Sequence, residues 1–428
     1  MRKNAILASA VGLGVGFCAA SAHAVPRYAL TQLLSVPASP DNKVGGALIQ
    51  FDNSFFDGTT QNYYLADRSN VSVDIFSAAT NSFVGRIGGS GQVFTGLRPA
   101  PPAPANLAIS GPNGIIIFDV NGRHELFAGD GNSTVKGFDL ATNAPLPNSP
   151  ISTGNAATDL RDNEFAYSPQ SKRLLIVNSD ASPAYATLID ATTNAVVSKT
   201  YFDGTNGAPN ATQGLKASTY DPATNLFYTN LAQINGTGSG AVVAINPDTG
   251  QVVKVYDLAT FGFAACAPVG IAKGNGSQLL LGCSAPSQSI LLDTAANGGN
   301  GSAIGIPQVS GADQVWFDPA SDLYFAAARY NPTGPVLGII DGATSSFVQN
   351  LPATPNTHSV AVDPVSGEAF VPFAGIAGNT VCPQGCIAVF SPTVDVPEPA
   401  SGLVMLTGLL ALAGLTWRRW TGNVFGAR

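Results

Sequence analysis

Charge is what this chain of 428 residues has least of: Asp, Glu, Lys and Arg make up 11% of it, against roughly a quarter in an ordinary soluble protein. That scarcity excludes a coiled coil and a charge-driven disordered chain, which both depend on charged residues. Glu is rarer still. Of the 27 acidic residues only Glu125, Glu164, Glu368 and Glu398 are Glu, and Lys is scarce too. Strong helix formers are therefore few, and long helices are not expected. Turn formers fill the gap, with 47 Gly and 30 Pro alongside abundant Asp and Asn. Setting aside the five Lys/Arg of the termini takes the net charge from -7 to about -12 (-7 - 5), so no surface is built to neutralise phosphates. Nucleic acid is not an expected partner. The length suits two or three domains or one large closed β architecture.

Long apolar runs occur only at the two ends. Residues 1–24 carry Arg2 and Lys3, then an apolar run, then Ala22-His23-Ala24, the small-x-small pattern of a cleaved signal peptide. Signal peptidase is thus an expected partner, and the mature chain is expected to start at Val25. At the other end Val396-Pro397-Glu398-Pro399 precedes an uncharged stretch of 18 residues, Ala400 to Trp417, followed by Arg418-Arg419. Such a stretch just spans a bilayer as a helix, with the basic pair held on the cytoplasmic side. Residues 396–428 resemble the PEP-CTERM sorting signal in order and spacing, and depart from it in the nine-residue tail after the arginines. The resemblance implies processing by an exosortase and a transmembrane sorting helix that serves as a transient anchor. A permanent single-span anchor is the alternative.

Four cysteines remain after the leader is removed, an even number that suits an oxidising compartment. Cys266 and Cys283 flank the turn Gly274-Asn275-Gly276 symmetrically, so a hairpin there brings them together as a disulfide. Cys382 and Cys386 can close a small loop, a spacing that fits neither a zinc knuckle nor a CxxC redox motif.

Between the ends a phrase of about fifty residues recurs: a β-rich run, a second run ending in Asp or Phe, then Ala/Asp-x-Thr-Asn/Gly and a third run. Examples are Asp190-Ala-Thr-Thr-Asn194, Asn246-Pro-Asp-Thr-Gly250 and Asp341-Gly-Ala-Thr344; seven copies are readable. Copies also open on an alternating strand and a tight turn, as in Val315-Trp-Phe-Asp318-Pro319 and Val360-Ala-Val-Asp363-Pro364. Four short antiparallel strands per unit, repeated radially, make an all-β, seven-bladed β-propeller over residues 25–395. The last unit lacks its outer strand, and the orphan run from Tyr28 to Val36 fits that gap, closing the ring from the N-terminus. Runs such as Tyr324-Phe-Ala and Asp190-Ala-Thr-Thr-Asn194 resemble YVTN repeats, and the chain from about 28 to 393 resembles YncE-like propellers of bacterial envelopes. The resemblance implies architecture and an exported location and is nearly silent on chemistry.

Loops joining strands two and three, and those between blades, share one face, and here they are long and irregular. Binding is expected on that face. Residues just ahead of the first strands converge on the axis: Asn113, Asp162, Glu164, Asp313 and His358 are candidate ligands for a cation such as Ca²⁺. The same residues can instead simply line a water-filled channel. Asp67, Arg68 and Gln314 are candidate rim contacts. Tyr330, Phe373 and Tyr185 are candidate platforms for sugar rings. Gly-x-Ser-x-Gly is absent, as is CxxCH, and one central histidine is left for chemistry. The expected role is a binding or structural module of the cell surface or extracellular matrix, its partner a polysaccharide or another surface protein. The rival is a metal-dependent, lactonase-like hydrolase working in the channel.

Overall fold

The computed structural model describes residues 25–101, 103–284 and 287–393. The expected leader and the sorting segment, from Val396 through Arg418-Arg419, lie outside the described residues.

Each recurring phrase is a turn whose chemistry dictates its sequence. In Asp190-Ala-Thr-Thr-Asn194 the Asp190 carboxylate accepts the Thr192 amide at 2.8 Å, and Asn194 closes the turn in the left-handed region, where Asn is tolerated. The Asp-Pro hairpins use the same device. Asp221 accepts from the Ala223 amide at 3.0 Å and Asp363 from the Val365 amide at 2.8 Å, with Asn225 and Gly367 left-handed four residues after each carboxylate.

Between these turns the described residues form seven antiparallel sheets, spanning 51–88, 115–152, 165–201, 215–257, 268–310, 315–352 and 361–393. They are the blades, numbered one to seven in that order. Middle strands such as Leu323–Ala328 and Ala241–Ile245 are buried throughout, which is why they read as unbroken apolar runs. Outer strands such as Ala195–Tyr201 are exposed or half-buried along their whole length.

Seven apolar clusters account for the core, and each straddles two neighbouring blades. A sheet with two apolar faces has to be covered on both, and radial stacking covers every blade with its neighbours. Each fully buried Leu or Phe in such a cluster is worth roughly 1.5–3 kcal/mol.

Closure follows the sequence expectation. The last blade supplies Ala361–Val362, Ala369–Phe373 and Cys386–Thr393, and the N-terminal strand Arg27–Ser35 pairs antiparallel with the third of these. Arg27 lies opposite Thr393 and Ser35 opposite Cys386, with one irregularity between Leu30 and Gln32. Leu34 from that strand joins Phe51, Phe56 and Tyr63 of blade one and Phe370 of blade seven in the seam cluster. Both expected disulfides are present, Cys266 to Cys283 with Cα atoms 5.3 Å apart and Cys382 to Cys386 at 6.0 Å. Both lie on the face of the irregular loops.

Candidate functional site

Inner strands face the axis, and three of them start irregularly. Pairing slips between Phe51 and Ser54, between Leu215 and Ser218, and between Pro268 and Gly270. A bulge re-aims the side chains it contains. Here Asp52, Lys216, Ala217 and Val269 turn into a cavity of about 320 Å³ at the mouth of the channel. Glu164 and Asp313 also line it, each one or two residues ahead of a first strand. Gly270 makes part of this possible: a Cβ there would sit 1.8 Å from the Asp313 carbonyl oxygen of the next blade.

Residues directly after the second strand complete the wall. Arg68 follows Asn62–Asp67 and Arg329 follows Leu323–Ala328, the same place in two blades. Four cations therefore meet at the mouth: Arg68, Arg161, Lys216 and Arg329. Three are in ion pairs. Arg68 binds Asp52, Arg161 holds Asp180 at 2.7 Å and Arg329 holds Asp313 at 2.6 Å. Among the described residues Lys216 and Glu164 have no ion-pair partner within 4 Å.

Burial in the channel, reinforced by the charges of Asp52 and Asp313, pushes the Glu164 carboxyl up to about 8. Burial, and then Arg161, pull the Lys216 ammonium below its ordinary value. At Arg161 burial works in the opposite sense, but Asp180, Asp52 and Glu164 hold its guanidinium above the ordinary value. Burial thus favours the neutral form of Glu164, while the three arginines are each matched by an aspartate.

Below the mouth a second cavity of about 340 Å³ continues along the axis, sharing Glu164, Ala217, Val269 and Asp313 with the first. Its wall mixes aromatic residues with polar ones such as Asn53, Ser218, Thr219 and Lys273. Phe55, Tyr167, Tyr220, Trp316 and Phe317 all line it, with the Phe55 and Trp316 rings edge to face at 5.4 Å.

Several expected site residues are spent on holding blades together. Arg68, 2% exposed, donates from Nη1 to the Phe51 carbonyl at 3.0 Å and from Nε and Nη2 to Asn113 Oδ1 at 3.1 and 2.7 Å. Asn113 in turn donates to the Asp162 carbonyl at 2.9 Å, so one polar chain links blades one, two and three. Gln314 bridges the seam. Its Oε1 accepts the Ser54 and Val360 amides, each at 3.1 Å, and its Nε2 donates to the Ser54 carbonyl at 2.8 Å. His358 stacks on Phe51 with ring centres 4.5 Å apart, its two nitrogens beside the Asn356 and Phe51 carbonyls. Burial, aided by Arg329, lowers its basicity.

Of the expected cation ligands, Glu164, Asp313 and His358 line the mouth together, while Asn113 and Asp162 do not. Among the described residues no three His, Cys, Asp or Glu side chains are placed to hold a metal ion. Extended backbone explains part of this: Arg161 and Asn163 line the mouth, while Asp162 between them turns away to accept the Thr153 hydroxyl at 2.7 Å. Asp67 turns away next to Arg68 in the same manner. It accepts the Asn70 amide at 2.9 Å, and burial, then Asp74, raise its carboxyl well above the usual range.

Of the three aromatic platforms, only Tyr330 is exposed, at 61%, with the Arg329 guanidinium 5.0 Å over its ring. Phe373 is buried in the core between blades six and seven, and Tyr185 is buried with its hydroxyl donating to the Thr153 carbonyl at 3.0 Å and to Asp159 at 2.9 Å. Neither can stack on a sugar in solvent. Sequence reasoning missed Arg161, Lys216, Arg329, Asp52 and Asp180. A cation directly after a second strand, repeated in two blades, was the available signal for Arg68 and Arg329.

No family model matches the sequence, and no curated protein matches it either. Among solved structures the chain is similar in shape to the hydrazine synthase of Kuenenia stuttgartiensis. The TM-score is 0.58 at 13% identity, over 81% of this chain and 97% of that one. At that identity the likeness shows the fold alone, and 1415 solved chains match overall, so the architecture selects no single chemistry.

Proposed function

We propose that this chain is an exported propeller that works as a binding module of the cell surface or extracellular matrix, through the face that carries the charged channel mouth. The carrying observation is that mouth: a polar cavity at the centre of the irregular-loop face, with Lys216 and Glu164 left outside the ion pairs around it. A rigid ring presenting a concave polar site beneath disulfide-pinned loops is a common way to build a binding site. Export is supported by the leader pattern in residues 1–24 and by the two disulfides. The YVTN-like repeats and the PEP-CTERM-like segment 396–428 support placement at the envelope, with exosortase handling of a transient anchor.

The module reading is tested by retention on isolated surface polysaccharide and envelope fractions, comparing the intact chain with an Arg161→Glu/Lys216→Glu double variant of unchanged melting temperature. Retention of the first and loss of the second is expected. Equal retention of both would contradict it.

One observation favours the rival enzyme. A carboxyl raised to about 8 at the junction of the two cavities keeps a proton that a general acid could donate near neutral pH. Turnover of lactone or ester substrates that disappears in Glu164→Gln would establish that reading, and its absence with the intact chain would remove it.

A further inference from the structure

We propose that the channel mouth binds the carboxylate of a small ring-bearing acid, with the acid group on Lys216 and Arg161 and the ring directed between the aromatic residues of the lower channel. The inference rests on the binding-module reading and names its ligand class.

Three observations converge. Lys216 has no ion-pair partner among the described residues, and its nearest charge influences besides Arg161 are Asp180, Asp313 and Glu164. Arg161 donates to Asp180 from Nε alone, and among the described residues no hydrogen bond uses its two Nη groups. Two adjacent cationic donors with unused capacity suit a carboxylate, which accepts charge-assisted hydrogen bonds from both.

Asn163 supplies the second observation. It lines the same cavity, its amide oxygen is closed off from that space, and among the described residues no hydrogen bond uses its Nδ2. A ligand hydroxyl close to the carboxylate would accept from that nitrogen, so the ligand carries a hydroxyl as well as an acid group.

Size and shape give the third. The two cavities, about 320 and 340 Å³, adjoin at Glu164 and Asp313, charged above and lined by Phe55, Tyr167, Tyr220 and Trp316 below. A flat ring fits between such walls with its faces against aromatic side chains. Two sources supply this chemistry, a sugar acid and an aromatic hydroxy acid, and both share the carboxylate, a hydroxyl and the six-membered ring.

Calorimetric titration of the intact chain with glucuronate and with mandelate tests the proposal, with glucose and 1-phenylethane-1,2-diol as uncharged counterparts. At least one acid should bind about tenfold or more tightly than its counterpart, the loss expected when one charge-assisted contact is removed. Which acid does so identifies the source. Lys216→Met should weaken that acid by about tenfold or more, while Lys216→Arg, which keeps the charge, should retain most of the affinity. Affinity for the acid should fall as pH rises through the Glu164 value of about 8, and Glu164→Gln should flatten that fall.

Equal binding of acid and counterpart, or acid binding indifferent to Lys216→Met, would overturn the carboxylate assignment while leaving a binding mouth. Absence of heat with all four compounds would overturn the carboxylate assignment. If the Arg161→Glu/Lys216→Glu variant were also fully retained on envelope fractions, the module reading would fall with it.

Discussion

Two sides of the same channel mouth use the same kinds of residue for different ends. Beside the seam, Arg68, Gln314 and His358 are engaged with backbone carbonyls, amides and partner side chains from neighbouring blades. Across the axis, in blades three and four, and among the described residues, Arg161 keeps unused donors, Asn163 keeps an unused amide nitrogen, and Lys216 and Glu164 stay outside the ion pairs. The difference lies in what each side must hold. Blade seven contributes only Ala361–Val362 as its inner strand, so side chains from blades six and one replace the missing backbone pairing there. Blade four has the longer inner strand Leu215–Asp221, in which Ser218, Tyr220 and Asp221 are engaged within the blade and Lys216, among the described residues, is in no ion pair.

If that division is right, substitutions on the seam side cost stability and substitutions opposite cost binding. The largest effect is expected at Arg68, which crosses from blade one to blade two. Arg68→Ala strands Asp52 and Asn113 in a buried setting and should destabilise the fold by roughly 3–5 kcal/mol, measured by urea unfolding. A loss under 1 kcal/mol would erase the contrast between the two sides. Gln314→Ala should follow, at about 1–3 kcal/mol, because it leaves the Ser54 and Val360 amides without their acceptor.

A smaller, pH-dependent effect is expected far from the mouth, on the opposite face. There His124 joins blades one and two, its ring nitrogens 2.7 Å from Asp119 and 2.8 Å from Asp57. Burial opposes its protonation, but the two carboxylates outweigh burial and raise its pKa. A raised folded value means the stabilisation is complete below the unfolded value of about 6.5 and is lost as pH rises through the folded value. His124→Gln should flatten the melting temperature across that window, and a variant that keeps the wild-type slope would show that the histidine does not carry it. Lys216→Met is expected to change stability least, within about 0.5 kcal/mol, since no ion pair is broken. A cost as large as that of Gln314→Ala would move Lys216 to the structural side.

Much of the fold was legible because its turns are chemical. Asp190, Asp221 and Asp363 have to be followed four residues later by a left-handed Asn or Gly, and that constraint surfaces as a repeat. The orphan run at Tyr28 was readable for a related reason, since an unpaired last blade needs a strand. Cys266 and Cys283 were readable from symmetry about one turn. The site was less legible. Whether a polar residue ahead of a strand faces the axis or a neighbouring blade depends on one step of alternation, and this separates Arg161 and Asn163 from Asp162. The bulges that aim Asp52 and Lys216 inward leave no mark in composition or period. Phe373 and Tyr185 adjoin loops, yet Phe373 packs between blades and Tyr185 is bonded to Thr153 and Asp159 of a covering loop.

Closure of the ring by its own N-terminal strand fixes every position discussed, including which residues share the mouth. Amide hydrogen exchange across Arg27–Ser35 tests it most directly. Cross-strand amides there should exchange as slowly as those of Cys386–Thr393, because the two strands form one ladder. Exchange of residues 27–35 at the rate of an unstructured peptide, with 386–393 still protected, would contradict the account.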